Sequence, residues 1–129
     1  MKTNKERALI GIVGPCSAGK STLVAGLKKR GFNAKQISQE HSYVKDMWQR
    51  RSSLDTLIFL QVSYPTAQER RKLNWSSKEY ETQQHRLKNA RQHADFYLET
   101  DGLTPEEIID EVLRFIAKSP SLRQAQDNA

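Results

Sequence analysis

The segment Gly14-Pro15-Cys16-Ser17-Ala18-Gly19-Lys20-Ser21 fits G-x-x-x-x-G-K-[ST] at every fixed position, and this pattern dictates what must flank it. It needs a buried strand before it and a helix after it. Ala8-Leu9-Ile10-Gly11-Ile12-Val13 is a short apolar run rich in β-branched residues, which predicts a strand covered on both faces. From Ser21 to Arg30, the side chains of Leu23, Val24 and Leu27 share one helical face, and Gly31 supplies a left-handed stop. The segment therefore reads as a phosphate-binding loop. Gly14 and Gly19 allow the tight turn, and the backbone N–H groups of Ser17, Ala18 and Gly19 approach phosphate oxygens. Lys20 reaches the outer phosphates, the Ser21 hydroxyl can ligate Mg²⁺, and the Thr22 N–H faces the α-phosphate from the first helical turn.

Composition narrows the setting. A chain of 129 residues has room for one ordinary domain, and 36% hydrophobic with 28% charged residues predicts a small sheet with partly buried helices. Residues 1–118 are read as that domain and 119–129 as a polar, disordered tail. No apolar run approaches the ~20 residues a bilayer requires, Met1 to Arg7 is polar, and the single cysteine fits a reducing compartment. A cytoplasmic protein without a membrane partner is expected. Cys16 occupies a variable position of the motif, and with His41, His85 and His93 it shows no metal-ligand spacing. The net charge of +6 and pI of 9.6 suit either a nucleic acid or a polyanionic nucleotide. The basic clusters Lys28-Lys29-Arg30, Arg50-Arg51, Arg70-Arg71-Lys72 and Lys78 to Arg91 lack interleaved aromatics, so they read as solvated helix faces and nucleic acid is not expected.

Further along, Ala34 to Glu40 is expected as a second strand, because a parallel sheet needs one after a crossover helix. Glu40 then falls at the carboxyl edge, where open parallel sheets bind ligands. Tyr43 to Ser53 reads as a short helix or a packed loop, with Met47 and Trp48 either in the core or lining a pocket. Thr56 to Val62 is the clearest strand and belongs at the sheet centre. A helix follows from Pro65 to about Leu73, with Thr66-x-x-Glu69 resembling a capping box, and Asn74 to Ser77 breaks it. Ser76-x-x-Glu79 starts another helix reaching about His93, whose sparse stripe of Tyr80, Leu87, Ala90 and Ala94 places it over a sheet edge. Asp95 to Glu99 is the last strand. Thr104, Pro105 and Glu107 then start a helix buried through Ile108, Ile109, Val112, Leu113 and Ile116 and closed by Pro120.

Strand, glycine loop and helix, then a central strand followed by Pro65 and Arg70-Arg71, a helical hairpin, a short strand and a terminal helix resemble the nucleoside and nucleotide kinase branch of the P-loop NTPases. The resemblance spans most of residues 8–117, and its specific match is the Walker A loop. It implies an α/β fold, a single P-loop NTPase domain with about four parallel strands in the order 35–39, 8–13, 57–62, 95–99 and helices on both faces. It also implies ATP and Mg²⁺ as ligands and transfer of the γ-phosphoryl to a small hydroxylated acceptor. Lys20 would stabilise charge, and lid arginines, for which Arg70, Arg71, Arg86 and Arg91 are the positions of the right type, would clamp the phosphates.

Two departures qualify the resemblance. The central strand ends in Gln61-Val62-Ser63 without the family's carboxylate, Asp55 lies at the opposite edge, and Glu40 becomes the candidate base or Mg²⁺ partner beside Ser21. The chain is also one strand-helix unit short, so the acceptor pocket is reduced or is completed by a second subunit in a homodimer or by another protein. The alternative is a nucleotide-dependent switch or binding module with little transferase activity.

Overall fold

The computed structural model describes residues 8–50, 53–71 and 76–119, with the side chain of residue 71 excluded. Met1 to Arg7, the helix break at 74–75, Pro120 and the expected tail beyond Ser119 lie outside the described residues. The chain forms an α/β sandwich with a four-stranded, all-parallel sheet in the order β2-β1-β3-β4. The strands are β1 (Leu9–Val13), β2 (Asn33–Gln36), β3 (Thr56–Gln61) and β4 (Phe96–Glu99). The helices are α1 (Lys20–Lys29), α2 (Met47–Arg50), α3 (Tyr64–Arg71), α4 (Ser77–Arg86), α5 (Lys88–His93) and α6 (Pro105–Lys118). The expected strand order holds. Among the described residues, no helix is long and apolar enough to cross a membrane.

Alternation along the central strands divides the core into two layers. Ile10 and Ile12 of β1, with Ile58 and Leu60 of β3, face α1 and α6, where Leu23, Val24, Leu27, Ile108, Val112 and Ile116 complete one cluster. Val13, Leu57 and Phe59 point the other way and pack with Ile37, Trp48, Leu87 and Ala90. Both faces are thus covered, which is why β1 and β3 read as near-continuous apolar runs. Trp48 is both core and wall, since it packs in this second cluster, donates from Nε1 to Asn89 Oδ1 at 2.8 Å and lines a cavity with Met47.

The helix ends follow their capping chemistry. Phe32 N–H donates to the Leu27 carbonyl and Gly31 N–H to Lys28, a Schellman closure of α1 made possible by Gly31 at φ 90°. At α6, the Thr104 hydroxyl accepts from Glu107 N–H and the Glu107 carboxylate accepts from Thr104 N–H, the expected capping box.

Several expectations are corrected. The strand expected over 34–40 is β2 at Asn33–Gln36, and Gln39–His41 instead forms a 3-10 turn. Gln39 is fully buried there, donating to the carbonyls of Val44 and Arg86 and accepting from Trp48 N–H, so its amide is used in fixing the turn. The expected helix 76–93 is two helices joined at Leu87, and it does not lie over an edge. Leu87 and Ala90 are fully buried against Val13 and Phe59, on the face of the central strands. No box forms at Thr66 and Glu69, because α3 begins at Tyr64 and the cap is Ser63, whose hydroxyl accepts from Thr66 N–H.

Asp101 finishes that cap from the far side of β4. Its carboxylate accepts from Ser63 N–H and from the hydroxyls of Ser63 and Thr66. Partial desolvation raises its pKa, but the Ser63 and Thr66 hydrogen bonds and the Arg70 charge outweigh this and hold it below the ordinary 3.8. A depressed carboxylate adds stability above its unfolded value, and the contribution is lost as pH falls through the lower folded value. Asp101→Asn is therefore expected to be less stable than wild type at neutral pH. Denaturant titrations should show the two proteins converging as pH drops below 3.8.

Candidate functional site

The site lies at the carboxyl edge of β1, where the chain passes through residues 14–19 into α1. Gly14 has φ 154°, Ser17 φ 72° and Gly19 φ 101°, so the loop coils through conformations that favour glycine. The approach of β3 is what demands Gly14. A Cβ there would stand 2.1 Å from the Leu60 carbonyl oxygen.

Lys20 opens α1 yet is only 5% exposed, and its ammonium is fully engaged. Nζ donates to the carbonyls of Gly14 at 2.6 Å and Pro15 at 3.0 Å and to Glu40 Oε2 at 2.8 Å. Glu40, delivered by the 3-10 turn, is 2% exposed, and its second oxygen, Oε1, has no hydrogen-bond partner. A buried ion pair is therefore closed on the lysine side and open on one carboxylate oxygen.

Three cavities lie around the loop and the 3-10 turn, one of them lined by this pair. One of about 340 Å³ is lined by Lys20, Ser21, Thr22, Gln36, Glu40 and His41, so Ser21 and Glu40 border one space. Within it, the Ser21 hydroxyl donates to Gln36 Oε1 at 2.9 Å. Beyond His41 a wider cavity of about 600 Å³ runs along Lys35 to Trp48. On the α6 side, an apolar cavity of about 260 Å³ is bounded by Gly19, Thr22, Leu23, Arg70, Leu103 and Ile108.

The arginines separate. Arg70 Nη1 donates to the Ser17 carbonyl at 2.9 Å and to the buried Thr100 hydroxyl at 3.0 Å, tying α3 to the loop. Arg86 donates to the Glu40 carbonyl at 3.3 Å and stacks over the Tyr43 ring at 4.7 Å, behind the 3-10 turn. Arg91 is not gathered to the loop by its hydrogen bond, which goes to Gln84, itself paired with Gln61 at the end of β3. The Arg71 side chain lies outside the described residues. Ala18 is fully buried, and its N–H donates to the Pro15 carbonyl.

Sequence reasoning missed three features of the site. Gln83 of α4 is buried and holds Cys16 at two points, accepting from Cys16 N–H at 3.0 Å and donating to Sγ at 3.2 Å. His41 and Cys16, without ligand spacing in the chain, come together, with Nε2 at 3.7 Å from Sγ. Leu103 and Ile108 form the apolar wall beside Gly19, and nothing in the α6 pattern separates lining a cavity from core packing.

No protein-family model and no curated protein matches the chain.

Proposed function

We propose that the chain is a P-loop protein that binds ATP with Mg²⁺ and transfers the γ-phosphoryl to a small hydroxylated acceptor. The observation that carries this reading is Lys20, a buried ammonium at the start of a helix, held by loop carbonyls and facing a polar cavity. An ammonium is costly to bury, and this one is kept at the start of a helix beside a polar cavity. Ordered N–H groups of the loop and the positive end of α1 favour an anion at the same place. The apolar space beside Gly19 and Thr22, roofed by Arg70, suits a nucleobase.

Mg²⁺ fits the residues present. Ser21 and Glu40 line one cavity, Glu40 Oε1 has no hydrogen-bond partner, and hydroxyl and carboxylate are the hard oxygen donors this ion takes. When bound, the ion neutralises charge developing on the transferring phosphoryl group. Lys20 would stabilise the same charge by exchanging a loop carbonyl for a phosphate oxygen, and Glu40 is the candidate base where it does not hold the ion. Arg70 is anchored on the Ser17 carbonyl and Thr100 and would reach phosphates only by exchanging those partners. The adjoining cavity along Lys35 to Trp48 is where the acceptor fits.

A second reading, a nucleotide-dependent binding module, is favoured by one observation. Tyr43 is 91% exposed and stands with exposed Val44 on the rim of that cavity, as a surface covered by a protein partner would. Acceptor-dependent ADP release well above the basal rate supports transfer. Nucleotide-dependent capture of a protein without such turnover supports the module.

Calorimetry tests the shared premise. Lys20→Ala, checked for folding by circular dichroism, removes a charge-assisted contact worth about 1.5–3 kcal/mol and should weaken ATP binding ~10-fold or more. Unchanged affinity would refute nucleotide binding at the loop. Glu40→Gln keeps the hydrogen bond to Lys20 and removes the charge, so ATP binding should largely survive while Mg²⁺-dependent turnover falls ~10²-fold. Turnover at the wild-type rate would remove Glu40 from the mechanism.

A further inference from the structure

We infer that Cys16, Glu40 and His41 form a binding site for a borderline-soft divalent cation of the Zn²⁺ class, which shares Glu40 with the proposed Mg²⁺ position and differs from it in its sulfur and imidazole donors. One ligand atom from each of the three residues lies within 4.8 Å of the other two. Cys16 Sγ is 3.7 Å from His41 Nε2, which is 3.8 Å from Glu40 Oε2. A tetrahedral ion with Zn–S about 2.3 Å and Zn–N or Zn–O about 2.0–2.2 Å sets its ligand atoms about 3.5 Å apart. The two separations that involve His41 are thus within a few tenths of an ångström of that spacing, and Cys16 and Glu40 lie within 4.8 Å of each other.

Two further observations point to a ligand. Glu40 Oε1 is buried and unpartnered on a side chain that lines the same cavity as Cys16 and His41. Such an atom is costly to leave unsatisfied, and coordination satisfies it. The sulfur is also positioned in advance, because the Gln83 amide clamps Cys16 through its N–H and through Sγ. Glu40 is likewise fixed through Oε2 by Lys20.

The donor set decides the metal. Mg²⁺ takes hard oxygen ligands, whereas one thiolate, one imidazole and one carboxylate select Zn²⁺ or its analogue Co²⁺. Binding converts the Cys16 thiol to thiolate and releases its proton to solvent, and the thiolate offsets part of the dication's charge while Glu40 is shared with Lys20. Three protein ligands leave a fourth position facing the cavity, where water completes the shell.

The test is a Co²⁺ titration of the full chain under reducing conditions, followed by Zn²⁺ displacement. One equivalent should give a thiolate-to-cobalt charge-transfer band with intense tetrahedral visible bands, and stoichiometric Zn²⁺ should abolish both. Cys16→Ser should remove the charge-transfer band, and exposed His41→Ala should weaken binding by ~10²-fold or more. His85→Ala, His93→Ala and a large excess of Mg²⁺ should leave the spectrum unchanged. The proposal is overturned by a spectrum without the sulfur band, by tight binding that survives His41→Ala, or by loss of binding in the His85 or His93 variant. It is equally overturned if Mg²⁺ displaces the cobalt. None of these readouts requires nucleotide, so they fail or succeed separately from the proposed ATP site.

Discussion

Lys20→Ala is expected to lower the unfolding free energy by about 3–5 kcal/mol without any ligand present, because it leaves the Glu40 carboxylate buried without its counter-charge. The two side chains are 4% and 3% exposed, so water cannot replace the lost ammonium without opening the turn. Oε1 already lacks a partner, and the substitution would deprive Oε2 of its ammonium. The carbonyls of Gly14 and Pro15 lose a donor as well. Denaturant titration of a double-mutant cycle measures the pair. Adding Glu40→Gln to Lys20→Ala should restore part of the loss, since a neutral amide is cheaper to bury than a lone carboxylate. If the double variant is less stable than Lys20→Ala alone, the account of Glu40 as an uncompensated charge fails.

Gly14→Ala is expected to cost about 3 kcal/mol or more. The added methyl would meet the Leu60 carbonyl oxygen at 2.1 Å, and that oxygen belongs to the backbone of the central strand. A side chain could rotate aside, but here β3 would have to move away from the loop, disturbing its parallel pairing with β1. Gly19→Ala provides the comparison. Its φ of 101° is strained for alanine, but the added carbon finds only an ordinary contact of 3.5 Å with Ile108 Cδ1. Thermal denaturation should therefore place Gly14→Ala clearly below Gly19→Ala, and the reverse order would exclude the close approach of β3 as the reason for Gly14.

The architecture was legible where local chemistry and burial agree. Thr56 to Gln61 is apolar because both sheet faces are covered, so composition alone marked it as central. Thr104, Pro105 and Glu107 marked the start of α6 because a capping box is a local structure written in adjacent residues. What stayed hidden depends on polar groups satisfied at long range. Gln39 and Gln83 resemble surface amides in the sequence, yet each is buried because its partners come from distant segments. Their burial sets the 3-10 turn and holds Cys16, and therefore sets the neighbourhood of Cys16, Glu40 and His41. Similarly, Leu87 fits a continuous helical stripe, and only its packing against the second sheet face reveals the break between α4 and α5. The glycine motif located the loop, but the Lys20–Glu40 pair required knowing where the chain turns after β2.

The all-parallel sheet also governs the order in which the molecule acquires its shape. No two neighbouring strands are joined by a tight turn: Ile10 stands opposite Ala34 on one side and Thr56 on the other, and Ile58 stands opposite Phe96. Each pairing must bring distant segments together before it gains a hydrogen bond, so loop-closure entropy opposes the sheet until several strands are present. Helical turns form within far shorter stretches and far faster. During synthesis, β1 is made early but remains an apolar strand without its central neighbour until β3 has emerged. Gly14 can seat against Leu60 only after that event. The loop announced most plainly near the start of the sequence is therefore among the later parts of the protein to reach its final geometry.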